Sequence, residues 1–175
     1  MRYLLIIILV LFSSMKLIFD FSKDSDISDW NVVVDGVMGG KSTGNFSLNE
    51  EGYALFLGEI SLANNGGFSS VQYDLPQMEV GSHKYIALRL KGDGKKYQFR
   101  VKNRDEVYYS YVHDFKTSGK WEIIKIPLEE MYPSFRGRKL NQPNFDHETI
   151  DQVAILIGNK KEESFQLLID KIELE

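Results

Sequence analysis

The sequence of 175 residues reads as an all-β protein, an antiparallel β-sandwich of the jelly-roll type. Three observations predict this. Apolar residues recur at a period of two over short runs rich in Val, Ile, Tyr, Phe and Trp, as half-buried strands require. Gly, Asn and Asp interrupt the runs roughly every ten residues, the spacing of turns in sandwiches and barrels. No long stretch carries a convincing helical period, so about eleven short strands are left to build the core.

The first five strands are read over 17–21, 30–34, 44–48, 53–60 and 68–75, each an alternating run of β-branched and aromatic residues. Asn65, Gly66 and Gly67 stand just ahead of Phe68 and supply residues that accept positive φ in a tight turn. Strands at 85–91 and 97–102 follow, joined by a second such turn at Gly92, Asp93 and Gly94. In the next run, 107–115, Tyr109 and Tyr111 fall on one face and Tyr108 on the other, so one side of this cluster is core. A strand at 121–127 precedes a break in the pattern. Over 128–148, Pro133, Pro143 and the triplet Arg136, Gly137, Arg138 predict a long irregular connection with a short helical turn at one end. Strands at 152–157 and 165–174 complete the set, and no repeat, low-complexity tract or linker divides the body.

Composition narrows the function classes. There are 21 Lys plus Arg against 25 Asp plus Glu, a net charge of -4, and the basic clusters are interleaved with carboxylates. A nucleic-acid binder needs a basic face, so that class is set aside. Cys is absent, which removes thiol nucleophiles, thiolate zinc sites and redox motifs together. A domain of about 150 residues buries roughly 68–70% of its unfolded surface and needs no staple. The three histidines, His83, His113 and His147, lack metal-site spacing and read as surface or half-buried residues; no metal and no cofactor is expected.

The N-terminus reads as an address. Arg2 precedes an unbroken apolar run over 3–12, then Ser13 and Ser14, which is the layout of a secretory signal. The run is shorter than the roughly 20 residues that span a bilayer. Residues 1–14 are therefore read as a signal peptide or N-terminal anchor and 15–175 as one exported β-sandwich domain, periplasmic or envelope-associated, touching a membrane only if the leader stays on.

Chemistry was sought in four places. The densest is Asp35, Gly36, Val37, Met38, Gly39, Gly40, Lys41 and Ser42, a Gly-rich loop between an acid and a hydroxyl. A phosphate loop needs a helix N-terminus next, and 43–48 reads as a strand, so close backbone packing is the better reading. Asn64, Asn65, Gly66, Gly67, Phe68, Ser69 and Ser70 offer amides, hydroxyls and a ring that suit either a hairpin corner or a sugar contact. Arg136 and Arg138 flank a glycine, as a solvated loop or a bidentate grip on an anion. No GxSxG elbow is present, and Asp35, Glu59, Asp93 and Asp114 are carboxylates that sequence alone does not pair for glycoside hydrolysis.

These motifs together resemble the complex I intermediate-associated protein 30 family. The likeness rests on Trp30 with the Asp35 to Ser42 loop, then Phe56, Leu57, Gly58, Glu59, Ile60, Ser61 and Leu62, then the Asn64 to Val71 segment. Gly92 to Tyr97, Trp121 with Ile126 and Pro127, and Arg136 to Arg138 follow in the family's order. The resemblance implies a galactose-binding-like sandwich and, for mitochondrial members, a chaperone-like role in assembling respiratory complex I, with no catalytic residue; it makes a mitochondrial location the alternative to export. Its motif residues, taken as binding, are Trp30, Asp35, Gly36, Met38, Gly39, Gly40, Ser42, Asn64, Asn65, Gly66, Gly67, Phe68, Arg136 and Arg138. The chain departs from the family at Gln72, where Arg is common, and at Val34, where Asn is common. The leading expectation is a non-enzymatic domain binding a protein partner through the two Gly-rich loops, with respiratory-complex subunits as the candidate partners. A carbohydrate-binding module is the alternative, and a carboxylate hydrolase a distant third.

Overall fold

The computed structural model describes residues 15–104 and 107–175, with only the backbone of Val37 and Met38. The leader at 1–14 lies outside the described residues. The strands are β1 (Lys16–Asp20), β2 (Trp30–Val34), β3 (Asn45–Leu48), β4 (Ala54–Ile60), β5 (Ser69–Glu79), β6 (Tyr85–Lys91) and β7 (Lys96–Lys102). They continue as β8 (Ser110–Lys116), β9 (Trp121–Pro127), β10 (Tyr132–Phe135), β11 (Arg138–Lys139), β12 (Thr149–Ile157) and β13 (Glu163–Leu174).

Two antiparallel sheets pack face to face. One runs β3-β4-β13-β6-β9 with β1 added alongside β13, and the other runs β11-β10-β8-β7-β12-β5-β2. The jelly-roll sandwich read from the sequence is thus the fold observed. β12 sits between β7 and β5, and β13 between β4 and β6, so the last two long strands complete the middle of both sheets. Inward side chains alternate along each strand: Tyr97, Phe99 and Val101 on β7, Leu167 and Ile169 on β13, Ile155 and Ile157 on β12 are all buried.

At one end of the sandwich the core is aromatic. Trp30 is 6% exposed, stacked on Tyr73 at 4.9 Å and on Phe46 at 5.1 Å, with Phe19 edge-on at 5.4 Å. Its register explains the stack, because Trp30 pairs with Tyr73 across β2 and β5. Trp30 is therefore a core residue and presents no ring to a ligand.

Two elements differ from the sequence reading, each for a physical reason. β5 runs through Pro76 to Glu79, because Ile150 pairs with Met78 and Gln152 with Asp74, so the proline falls in a bulge where no ladder N–H is needed. The stretch read as an irregular connection holds the hairpin β10–β11 after a 3-10 turn at Leu128–Glu130. Arg136 at φ 48 and Gly137 at φ 74 form its two-residue turn, and prolines and charges around so tight a turn hide the strands. The tyrosines divide as expected: Tyr111 is buried, Tyr109 packs on the core, and Tyr108 is 60% exposed.

Trp30→Ala should lower stability by about 3–5 kcal/mol, since a large ring is removed from a packed cluster. Tyr108→Ala, at an exposed position, should change it by less than about 0.5 kcal/mol. Urea unfolding followed by fluorescence checks both.

Candidate functional site

The two Gly-rich loops meet around one buried carboxylate. Asp35 follows β2, is 0% exposed, and opens a 3-10 turn at Asp35–Met38 that ends on Gly39 in the left-handed conformation. Its Oδ1 accepts the Ser42 N–H at 3.0 Å, and its Oδ2 accepts the Ser42 hydroxyl at 2.5 Å, the Gly67 N–H at 2.5 Å and the Phe68 N–H at 3.3 Å. The Ser42 hydroxyl accepts in turn from the Ser61 N–H at 3.1 Å, and the Asn64 side-chain amide donates to the Gly39 carbonyl at 2.7 Å. A Cβ on Gly40 or Gly66 would drive into the Asp35 carboxylate, which is why both positions are glycine. Asn64 and Asn65 take positive φ, 56° and 61°, a conformation that asparagine tolerates.

Among the described residues no cation lies within 4 Å of Asp35. Burial is the largest single influence on its pKa and pushes it up. The Ser42 hydroxyl and the Gly67, Ser42 and Phe68 amides together outweigh that push and hold the carboxyl below the usual aspartate value. Asp35 and Ser42 are thus spent on joining the loops. The rim that faces solvent is Gly36, Gly39, Asn64 and Asn65.

The structure does not bring the remaining motif residues to this point. Trp30 lies at the far end of β2 in the core. Arg138 is on β11, the opposite edge of the seven-stranded sheet from β2, and Arg136 stands in the adjoining turn with its guanidinium over Phe135 at 5.2 Å. Of the four carboxylates considered for hydrolysis, Glu59 and Asp93 line one cleft of about 530 Å³, while Asp35 is spent in the knot and Asp114 lies on the other sheet. Glu59 points outward from the six-stranded sheet and Asp114 outward from the other, so they face opposite sides of the sandwich. Asp93 ties its own turn, accepting from Lys95 Nζ at 2.7 Å, the Tyr97 hydroxyl at 3.0 Å and the Gln166 N–H at 3.0 Å. Burial pushes its pKa up, but these donors prevail and hold it low, the reverse of what a general acid requires.

The outer sheet faces carry what sequence reasoning missed. On the seven-stranded sheet, Arg100 donates from Nε and Nη2 to Gln98 Oε1 at 3.2 and 2.7 Å, and Gln98 donates to Asp114 Oδ1 at 2.9 Å. The Tyr132 hydroxyl donates to Asp114 Oδ2 at 2.7 Å; burial first, then that carboxylate, push the phenol up to about 12. Gln152 donates to Asp74 at 2.6 Å on the same face. Gln72, one of the two departures from the family pattern, sits here between Asn31 and Ala154 in register. The outer face of the six-stranded sheet is more apolar. Leu55, Leu57 and Leu168 are half-buried outward residues of β4 and β13, the Tyr53 and Trp121 rings meet at 4.6 Å, Arg89 lies over Trp121 at 5.1 Å, and Ile123 is 59% exposed. Only the alternation of β7 and β8 hinted at the first face, since outward Arg, Gln and Asp look like ordinary solvated strand residues.

A family model described as Complex I intermediate-associated protein 30 matches residues 19–169. The chain belongs to the complex I intermediate-associated protein 30 family. Relatives within it are distant: the mitochondrial complex I intermediate-associated protein 30 of Drosophila melanogaster is 24% identical over 69% of this chain and 48% of its own length. That of Mus musculus is 21% identical over 93% and 57%. The chain spans about half the length of these curated relatives. Among solved structures it resembles a family 11 carbohydrate-binding module from Clostridium thermocellum, solved with a mixed-linked β-1,3-1,4 tetrasaccharide. That match has a TM-score of 0.67 at 18% identity and covers 91% of this chain and 94% of the module, a likeness of fold. The two Gly-rich motifs of this chain are the two halves of the Asp35 knot.

Asp35→Asn should cost at least about 2 kcal/mol, because an amide cannot accept on both sides from donors that stay buried. The wild-type contribution is whole above the usual aspartate value of 3.8 and is lost as pH falls through the lower folded value. The gap between the urea midpoints of wild type and Asp35→Asn should therefore narrow only as pH falls below 3.8, while Gly66→Ala lowers the midpoint at neutral pH.

Proposed function

We propose that this chain is a non-enzymatic binding domain that holds a protein partner in an assembly role. The relatives' name supplies the partner class, a subunit of a complex I intermediate. The observation that carries this reading is the outer face of the six-stranded sheet, where Trp121 and Ile123, two residues apart on β9, are exposed. Monomeric domains rarely leave Trp and Ile adjacent on an exposed strand without use, and Trp anchors many interfaces. The solvent-facing rim of the Asp35 knot supplies a separate contact in this reading, and export is the location proposed from residues 1–14. The test is mild cross-linking of the whole chain in native membrane fractions, with mass spectrometry of the captured proteins. Respiratory-complex subunits should be enriched with wild type and lost with the double variant Trp121→Ser, Ile123→Ser, which alters only surface residues. Equal capture by both proteins overturns the assignment of this face.

A second reading has its own observation. The outer face of the seven-stranded sheet carries a linked set of carboxylate, amide, guanidinium and phenol groups held by mutual hydrogen bonds, which is the donor and acceptor mixture that sugar hydroxyls need. A module of similar fold was solved with a tetrasaccharide, which supports a glycan as the ligand class. Native gels cast with a panel of soluble polysaccharides should retard the chain, and Gln98→Ala should reduce that retardation; no retardation across the panel overturns the reading.

A further inference from the structure

The chain is acidic as a whole, yet charge is distributed against that sign on one face. Along β7 the outward positions are Lys96, Gln98, Arg100 and Lys102, because Tyr97, Phe99 and Val101 between them are buried. Lys116 of β8 lies beside Lys96 in register. Among the outward residues of these two strands there are four cations and one carboxylate, Asp114. None of the four cations has a carboxylate within 4 Å among the described residues.

Arg100 is the centre of this row. It lies between Val112 and Ala154 in register, and both are buried although neither belongs to the central core cluster, so the outward layer of side chains covers them. Its guanidinium is spent on a neutral partner: Nε and one Nη2 hydrogen reach Gln98, and three of its five N–H donors find no acceptor among the described residues. The one carboxylate nearby is taken, because Gln98 and Tyr132 donate to its two oxygens. Burial pulls the Arg100 pKa down, against Tyr132 and Asp114, so a held anion would relieve the desolvated charge. From Lys96 to Lys102 the row is roughly 20 Å long at strand spacing, which suits an extended ligand better than a single small ion. At its Lys96 end a cleft of about 380 Å³ is lined by Lys95, Lys96, Lys116 and Lys161, with Gly94 and Asn159.

We propose that the outer face of the seven-stranded sheet binds an acidic polysaccharide, whose carboxylate or sulfate groups are received by Arg100 and Lys102 and, along the strand, by Lys96 and Lys116. The inference rests on the carbohydrate reading of this face and deepens it by naming the charge class of the sugar. An acidic peptide fits less well: β7 is hydrogen-bonded to β8 and β12 on both sides and offers no edge for a strand to join, and Asp114 and Asp74 would repel its carboxylates. Sugar hydroxyls, which both donate and accept, match those two carboxylates and the neighbouring amides.

The test uses the whole chain in affinity gels and titration calorimetry with four probes: polygalacturonate, dextran sulfate, neutral mixed-linkage β-glucan and poly-glutamate. Binding to polygalacturonate or dextran sulfate, weakening as salt rises, is expected, and the stronger of the two identifies the anion. Arg100→Gln should weaken it at least tenfold and Arg100→Lys less, because lysine keeps the charge and loses the fork. Lys125→Gln, on the outer face of the other sheet, should leave it unchanged, and thermal unfolding confirms that each variant is folded. Binding to the neutral glucan alone overturns the charge assignment while leaving the carbohydrate reading intact. Poly-glutamate bound as tightly as either acidic polysaccharide, or an equal loss with Lys125→Gln, overturns the proposal as mere charge attraction. Binding to no glycan overturns both.

Discussion

A carboxylate with no cation beside it organises one end of this sandwich. Asp35 is fully buried, and a buried charge is costly unless hydrogen bonds replace the water it loses. Here the replacement comes from the Ser42 hydroxyl and from three backbone amides on two different loops, 25 or more residues apart in sequence from one side of the knot to the other. Because the donors are main-chain groups, the loops must approach to within bonding distance, and that approach leaves no room for a Cβ at Gly40 or Gly66. One charge thus dictates the composition of both motifs.

This has a consequence for function. Residues committed to a structural knot have few donors left for a ligand, so recognition passes to surfaces the knot supports. β2 leads into Asp35 and pairs with β5, and β5 pairs with β12 next to β7, so the knot anchors the edge of the sheet whose centre carries Arg100. The two outer faces then divide by chemistry. One keeps Trp121 and Ile123 exposed on β9; the other keeps a polar set whose members hold one another in place. Side chains fixed by mutual hydrogen bonds lose less entropy on binding than free ones, which is what a recognition face needs.

Charge acts at a second level. The net sign of the chain is negative, and a ligand judged from net charge alone would be taken as cationic. The strand alternation concentrates Lys96, Arg100 and Lys102 on one side of β7, while carboxylates such as Asp93 and Asp170 lie on other elements, paired with Lys95 and Arg89. Local potential follows this placement and not the total.

The fold was largely legible in the sequence, because a period of two with turn residues between runs is a local signal and the sandwich follows from burying one face of each run. The motif at Asp35 and Ser42 and that at Asn64 and Gly67 were legible as special, since clustered glycines and asparagines mark tight turns and close backbone approach. What sequence could not show was that the two motifs share one carboxylate, that Trp30 stacks inside the core, or that Arg136 turns a hairpin on the opposite edge of the same sheet. Those facts depend on strand order, which places β12 and β13, last in the chain, at the centre of the sheets. Arg100 shows the same limit: its outward position was written in the alternation, but its unspent donors were set by Gln98, Asp114 and Tyr132, and Tyr132 belongs to a strand more than thirty residues away in register beside β8. The sequence by itself determined which residues face in or out; only the tertiary structure decided which outward residues meet, because pairing across strands is a non-local choice made by the packing of the whole core.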